Sequence, residues 1–133
     1  MQGDIKRVKV VNNMYVGFDY GTSNCAMSCI NQGKAELIPL YGAEAFVPST
    51  LYALERAFIA ELIAQQLQDP VERQAYTQAR SGTLAQSRAG KLEHDIAQVS
   101  DGVFYGTEAI AHYIADPAEG YFIKSPKSFL GAS

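Results

Sequence analysis

Nine consecutive residues combine a strand, an acid and a polar turn: Val16-Gly17-Phe18-Asp19-Tyr20-Gly21-Thr22-Ser23-Asn24. The residues from Met14 to Asp19 are predicted to form a strand that is apolar on both faces until the acid. Gly21 permits a tight backbone turn, and the three polar residues after it tolerate the backbone angles that a turn requires. The segment therefore predicts a strand that delivers a carboxylate to the start of a polar loop.

This loop has the chemistry of a phosphate site. Successive backbone N–H groups in such a turn form a concavity that binds phosphate oxygens, and the hydroxyls of Thr22 and Ser23 add donors. The Asp19 carboxylate suits Mg²⁺, which takes oxygen ligands and often binds through its own waters. The segment is neither a Walker motif nor a dinucleotide-binding fingerprint. A plain hairpin turn in which Asp19 caps the bend is the alternative that these residues leave open.

Further strands are predicted after the loop. Residues 25–30 and 35–40 flank a hairpin connection at residues 31–34. With the first strand they make an antiparallel meander. A fourth strand is entered through a proline and is predicted over residues 47–54.

The pattern then changes to the spacing of helices. Apolar residues recur at three and four from Phe58 onward, which predicts a helix at about 55–68. Asp69-Pro70 supplies a cap and a first helical residue for a helix over about 70–90, whose weak apolar face indicates a peripheral, solvated position. Asp101-Gly102 predicts a hairpin turn, and a third helix follows at 107–115.

Length and composition limit the classes of function. The 133 residues suffice for one domain with a sizeable core. A net charge of −3 argues against binding to a nucleic-acid backbone, and no apolar run reaches the roughly 18–20 residues of a membrane span. Cys25 and Cys29 lie in one short segment without a nearby histidine, which predicts free thiols and a reducing compartment. We therefore expect a cytoplasmic protein that binds neither nucleic acid nor membrane.

Four features in order resemble the ATPase domain of the heat-shock-70 chaperone family, a member of the actin, hexokinase and heat-shock-70 superfamily. The loop over 16–24 is similar to the superfamily pattern apolar-Gly-apolar-Asp-x-Gly-Thr-Thr/Ser-Asn. Residues 47–52 are similar to the family's Thr-Pro-Ser strand. Residues 101–109 resemble its hairpin, glycine and helix entry, and residues 127–131 have the Lys-x-x-x-Gly spacing of a further family segment. Together they resemble the divergent, YegD-like branch of the family.

The resemblance implies a fold and a site. The fold is α/β, α+β in appearance: a ribonuclease H-like, actin-type ATPase subdomain whose mixed sheet begins with the meander and carries helices. Asp19 would organise Mg²⁺ through water, and the β- and γ-phosphates of ATP or ADP would lie on Gly21, Thr22, Ser23 and Asn24. Lys127 would act with Asp19 in catalysis, orienting the attacking water and neutralising charge on the γ-phosphate. Lys124 is the alternative for that role, since Ile123-Lys124 also resembles an Ile-Lys pair of the family, whereas Lys127 has the matching distance to Gly131.

The resemblance also implies an organisation and partners. Residues 1–13 form an N-terminal extension, and residues 14–133 form the N-terminal part of the ATPase domain, with a helical insert at about 55–97 that has no assigned chemistry. The parent would be an ATP-hydrolysing chaperone of the stress response that binds unfolded polypeptides. The remaining lobes and the peptide-binding domain would lie beyond Ser133. We therefore expect weak nucleotide binding, no turnover by this chain alone, and an exposed apolar surface open to self-association.

Two other classes of function stay open. A sugar or acyl kinase of the same superfamily shares the Asp-x-Gly-Thr loop. The Pro48-Ser49 strand and the spacing from Lys127 to Gly131 are unusual in such kinases and in cytoskeletal relatives of actin. A non-enzymatic interaction module, with the helical insert as its binding surface, is the alternative from a different class.

Overall fold

The computed structural model describes residues 15–129, without the side chains of residues 128 and 129. The predicted extension over residues 1–13 lies outside this range. The described part is a mixed α/β fold of two antiparallel sheets and four α-helices. The strands are β1 Val16–Tyr20, β2 Asn24–Asn31, β3 Lys34–Ile38, β4 Phe46–Pro48, β5 Thr50–Ala53, β6 Val103–Tyr105 and β7 Tyr121–Lys124. The helices are α1 Arg56–Gln66, α2 Pro70–Ala79, α3 Ser81–Glu93 and α4 Gly106–Ala115, and Val99–Gly102 and Pro126–Phe129 are 3₁₀ helices.

The first sheet is the predicted meander with a short fourth strand. β2 pairs antiparallel with β1 and β3, so that Val16 lies opposite Cys29. The turn between β2 and β3 has positive φ at both central residues, Gln32 and Gly33, which matches the twist of the flanking strands. β4 pairs antiparallel with the beginning of β2. The predicted meander is confirmed, and the two cysteines are free thiols.

The strand predicted over residues 47–54 is two strands that belong to different sheets. β4 ends at Pro48, a residue whose ring fixes φ and which has no N–H to donate. Ser49 then carries the chain into β5, which pairs antiparallel with both β6 and β7 in the second sheet. Every strand pair among the described residues is antiparallel, so two antiparallel sheets replace the predicted mixed sheet.

The helices follow the prediction except at one break. α1 and α4 lie where helices are predicted. α2 begins as predicted, with the Asp69 carboxylate accepting hydrogen bonds from two backbone N–H groups and Pro70 as the first helical residue. The single helix predicted over 70–90 is instead two helices that meet at Arg80. Ser81 and Gly82 follow directly, and both are weaker helix formers than alanine.

The hairpin predicted at Asp101-Gly102 is wrong. These residues end the 3₁₀ helix Val99–Gly102, and the Gln98 N–H donates to the Asp101 carboxylate at 3.2 Å. Gly102 is not among the glycines with positive φ. A Cβ at Gly102 would lie 2.8 Å from the Phe58 ring. The glycine therefore allows close packing rather than a tight turn.

The core lies between the second sheet and α1. Its buried side chains are Ala53, Phe58, Val99 and Val103. On the other face of this sheet, α4 packs with His112 stacked on Phe104, their ring centroids 3.6 Å apart.

The first sheet exposes apolar side chains on both faces. Phe18 and Phe46 lie on opposite faces of this sheet, and each is 61% exposed. No helix within residues 15–129 is long and apolar enough to cross a membrane.

Candidate functional site

The loop between β1 and β2 is closed by one backbone hydrogen bond between its ends. The Gly21 N–H donates to the Asn24 carbonyl oxygen at 3.0 Å. A Cβ on Gly21 would lie 2.5 Å from that same oxygen, a distance that a side chain cannot adopt. Glycine is therefore required here by the close approach of two backbone segments.

Ser49, which links the two sheets, holds two carbonyl groups of this loop. Its side chain is only 5% exposed. Its N–H donates to the Ser23 carbonyl and its hydroxyl donates to the Gly21 carbonyl, both at 2.8 Å. The Cys25 Sγ lies 3.3 Å from the Ser49 Oγ. Because the serine hydrogen is committed to Gly21, the thiol is the donor in that contact.

Ser125, just after β7, holds the third carbonyl group. Its hydroxyl donates to the Thr22 carbonyl at 2.5 Å, and its N–H donates to the Ser49 carbonyl at 2.8 Å. Ser125 has a φ of 54°, a left-handed conformation that is uncommon for a residue with a side chain. The segment that carries Lys124 and Lys127 therefore lies against the loop, although Ser125 and Thr22 are 103 residues apart in the sequence.

These contacts orient the N–H groups of the loop. In a planar trans peptide, the C=O of one residue and the N–H of the next point in opposite directions, and the described residues contain no cis peptide bond. The carbonyl groups of three successive residues face the two serines. The N–H groups that follow each of these carbonyls therefore face away from the serines: those of Thr22, Ser23 and Asn24. Three successive N–H groups on the side away from the serines are donors for an anion.

Asp19 lies on an open sheet face beside the loop. It belongs to β1, opposite Ala26, and its side chain is exposed. A shallow groove of about 430 Å³ crosses this face, lined by Asp19, Ser28 and Phe46 among others. A single accessible carboxylate fits a hydrated Mg²⁺, which is commonly bound through its waters.

Ser49 and Ser125 are the site residues that sequence reasoning missed. The two hydroxyl residues directly after Pro48, ahead of the apolar residues 51–54, are the signal that could have indicated Ser49. For Ser125 no local signal exists, since its role depends on a contact across almost the whole described chain. The predicted loop residues and the predicted lysine segment are brought together, with Lys127 exposed two residues after Ser125. The partner position of Lys127 in the predicted motif, Gly131, lies outside the described residues.

No protein-family model and no solved structure matches this chain. What the site can do follows from its own chemistry. The loop offers three N–H groups to an anion, Lys124 and Lys127 add positive charge nearby, and Asp19 offers a carboxylate to a hydrated cation.

Removing the Ser49 hydroxyl is expected to loosen the loop. The variant Ser49→Ala leaves the Gly21 carbonyl without its donor, and we expect the free energy of unfolding to fall by about 1–2 kcal/mol. Urea denaturation measures this loss, and amide hydrogen exchange is expected to accelerate at Gly21 and at residue 49, whose N–H groups are hydrogen-bonded here. Ser100→Ala, at an exposed serine, is the control and is expected to change stability by less than about 0.5 kcal/mol. Equal losses in the two variants would contradict the role of Ser49.

Proposed function

We propose that residues 15–129 form the first phosphate-binding lobe of an ATP-hydrolysing chaperone that resembles the heat-shock-70 family. The observation that carries the proposal is the row of N–H groups at residues 22–24, which face away from Ser49 and Ser125. The finer fold that we propose is a ribonuclease H-like, actin-type ATPase subdomain. An antiparallel meander whose first connection is the polar loop supports it.

The loop binds phosphate with little rearrangement. The N–H groups of Thr22, Ser23 and Asn24 donate to the β- and γ-phosphates, and the exposed hydroxyls of Thr22 and Ser23 add two donors. Hydrogen bonds to a charged acceptor contribute about 1.5–3 kcal/mol each, more than neutral ones. Because the loop carbonyls are already bonded to Ser49 and Ser125, none has to turn away when the anion arrives. This preorganisation lowers the cost of binding.

Asp19 and one lysine supply the remaining charge. Mg²⁺, when bound with ATP, neutralises charge on the transferred phosphoryl group. Asp19 would hold that ion through water from the exposed face of β1. Lys127 would neutralise the γ-phosphate and orient the attacking water, with Lys124 as the alternative. Both lysines are exposed and flank Ser125, which is bonded to the loop.

Nucleotide binding is tested by titrating the chain with ATP and Mg²⁺ while backbone amide signals are followed by NMR. We expect the signals of Thr22, Ser23 and Asn24 to shift, with a dissociation constant in the millimolar range. Lys127→Ala is expected to weaken binding roughly fivefold to tenfold, whereas Lys34→Ala, at an exposed lysine in the distant β2–β3 turn, leaves it unchanged. Lys124→Ala identifies which of the two lysines acts. An absence of shifts at the three loop amides would overturn the proposal.

Hydrolysis is tested on the parent chaperone with all of its lobes. We expect Asp19→Ala and Lys127→Ala each to lower the rate of phosphate release by roughly a hundredfold, the usual effect of removing one electrostatic group from such a site. Lys34→Ala again serves as the control. Unchanged rates in both site variants would refute the assignment of these two residues.

A further inference from the structure

Cationic side chains line a groove between α1, α2 and α3. The groove has a volume of about 500 Å³, within the range of small-ligand sites. Its charged lining residues are Glu61, Arg73, Arg88 and Lys91. Three cations and one carboxylate leave a surplus of two positive charges, on a chain whose net charge is −3. The groove is therefore a local positive region on an acidic protein.

The one carboxylate of the groove is already fully engaged. Glu61 accepts a hydrogen bond from the buried Ser87 hydroxyl at 2.5 Å and from the Lys91 ammonium at 2.8 Å. Burial alone would raise the pKa of Glu61, but the hydrogen bonds from Lys91 and Ser87 and the charges of Lys91 and Arg88 together hold it below its usual value. Glu61 is therefore ionised at neutral pH, and it neutralises Lys91. No carboxylate within residues 15–129 forms an ion pair with Arg73 or Arg88.

The two arginines are suited to an anionic ligand. The Arg73 guanidinium is held in place because its Nε and Nη2 donate to the Leu67 carbonyl at 2.9 and 2.6 Å. Its remaining nitrogen keeps two N–H donors for a ligand. Arg88 is exposed and lines the same groove. Arg88 can bind phosphate oxygens with two parallel hydrogen bonds, which a lysine cannot do, and Arg73 adds hydrogen bonds from its one remaining nitrogen.

We propose that this groove binds a phosphate monoester dianion through Arg73 and Arg88. Such a group carries about −1.5 to −2 charges at neutral pH, which matches the surplus of positive charge. Ala64 and Leu84 add apolar surface to the lining, and this surface would contact the organic part of a small phosphorylated compound. The site is separate from the loop at residues 21–24 and does not depend on the function proposed for it. The sequence predicts no chemistry for the helical insert, and this site would give the insert a ligand.

The ligand class is tested with two probes, inorganic phosphate and phenyl phosphate. Each is titrated into the full chain while amide signals are followed by NMR, and we expect shifts at Thr77, Leu84 and Arg88. Tighter binding of phenyl phosphate supports a small organic phosphate as the ligand class, whereas equal binding of the two probes would contradict a monoester ligand. Shifts confined to residues 21–24, or none at the groove in the millimolar range, would overturn the proposal.

A matched pair of variants separates a specific site from general attraction. Arg88→Gln is expected to weaken binding at the groove roughly tenfold, as loss of a charged hydrogen-bonding group does. Arg80→Gln removes the same charge from an exposed arginine that lines a separate groove of the same helices, and we expect less than about a twofold change. Equal weakening in the two variants would show that only the overall charge matters and would contradict the proposal.

Discussion

Replacing Phe58 by alanine is expected to lower the free energy of unfolding by about 3–5 kcal/mol. Phe58 is fully buried and packs in the core with Val99 and Val103. Its ring also fills the space beside two glycines: a Cβ at Gly90 would lie 3.1 Å from the ring, and one at Gly102 would lie 2.8 Å from it. Truncation would therefore leave a cavity between α1, α3 and the 3₁₀ helix, and three elements would lose their common contact.

Urea denaturation measures this loss. Phe46→Ala removes the same atoms from a side chain that is 61% exposed, and we expect it to cost less than about 1 kcal/mol because little apolar area is buried there. If Phe58→Ala does not fold, Phe58→Leu keeps most of the volume and gives a measurable intermediate loss. A Phe58→Ala variant that is no less stable than Phe46→Ala would contradict the position of the core.

Replacing Gly21 by alanine is expected to lower the affinity for ATP and Mg²⁺ at least tenfold. The new Cβ would lie 2.5 Å from the Asn24 carbonyl oxygen, so the backbone bond that closes the loop at 3.0 Å has to open. The carbonyl oxygen belongs to the main chain and the Cβ is fixed directly to it, so neither can move aside as the end of a flexible side chain does. The opened loop no longer holds its three N–H groups away from the two serines, and the donors proposed for the anion are lost.

The matched control for Gly21→Ala is Gly82→Ala. A Cβ at Gly82, in α3, meets nothing within 4 Å, and alanine favours a helix over glycine by about 0.5–1 kcal/mol. We therefore expect Gly82→Ala to raise the stability slightly and to leave ATP binding unchanged. NMR titration measures the affinity of both variants. Retention of wild-type affinity by Gly21→Ala would show that the loop does not bind the nucleotide.

Those parts of the fold that depend on local patterns can be predicted from the sequence. The meander follows from short apolar runs with a turn at Gly33, and the start of α2 follows from the Asp69 cap. The predictions that are wrong concern residues whose conformation is determined by contacts with residues far away in the sequence. Gly102 has the signature of a turn but is placed to accommodate Phe58. Pro48-Ser49 has the pattern of a continuous strand, yet the chain changes sheets there.

The candidate site is predictable to the same extent. The residue types of the loop and the two lysines can be selected from the sequence, because glycine, hydroxyls and lysine are what a phosphate site needs. The contacts that orient the loop cannot be predicted from the sequence, because they join residues that lie far apart in the chain. The Ser49 hydroxyl bonds a residue 28 positions away, and the Ser125 hydroxyl bonds one 103 positions away. No periodicity or local motif encodes such pairs.

The bond between Ser125 and Thr22 also sets the order of events during synthesis. Closing a long stretch of chain costs entropy that neighbouring contacts do not, so contacts of large sequence separation form late. The helices α1 and α3 can pack as soon as residue 93 has left the ribosome. The polar loop emerges before these helices, yet the Thr22 carbonyl has no donor until residue 125 has emerged. Competence to bind an anion is therefore acquired only after residue 125 has been made, although the residues that bind it are made 103 residues earlier.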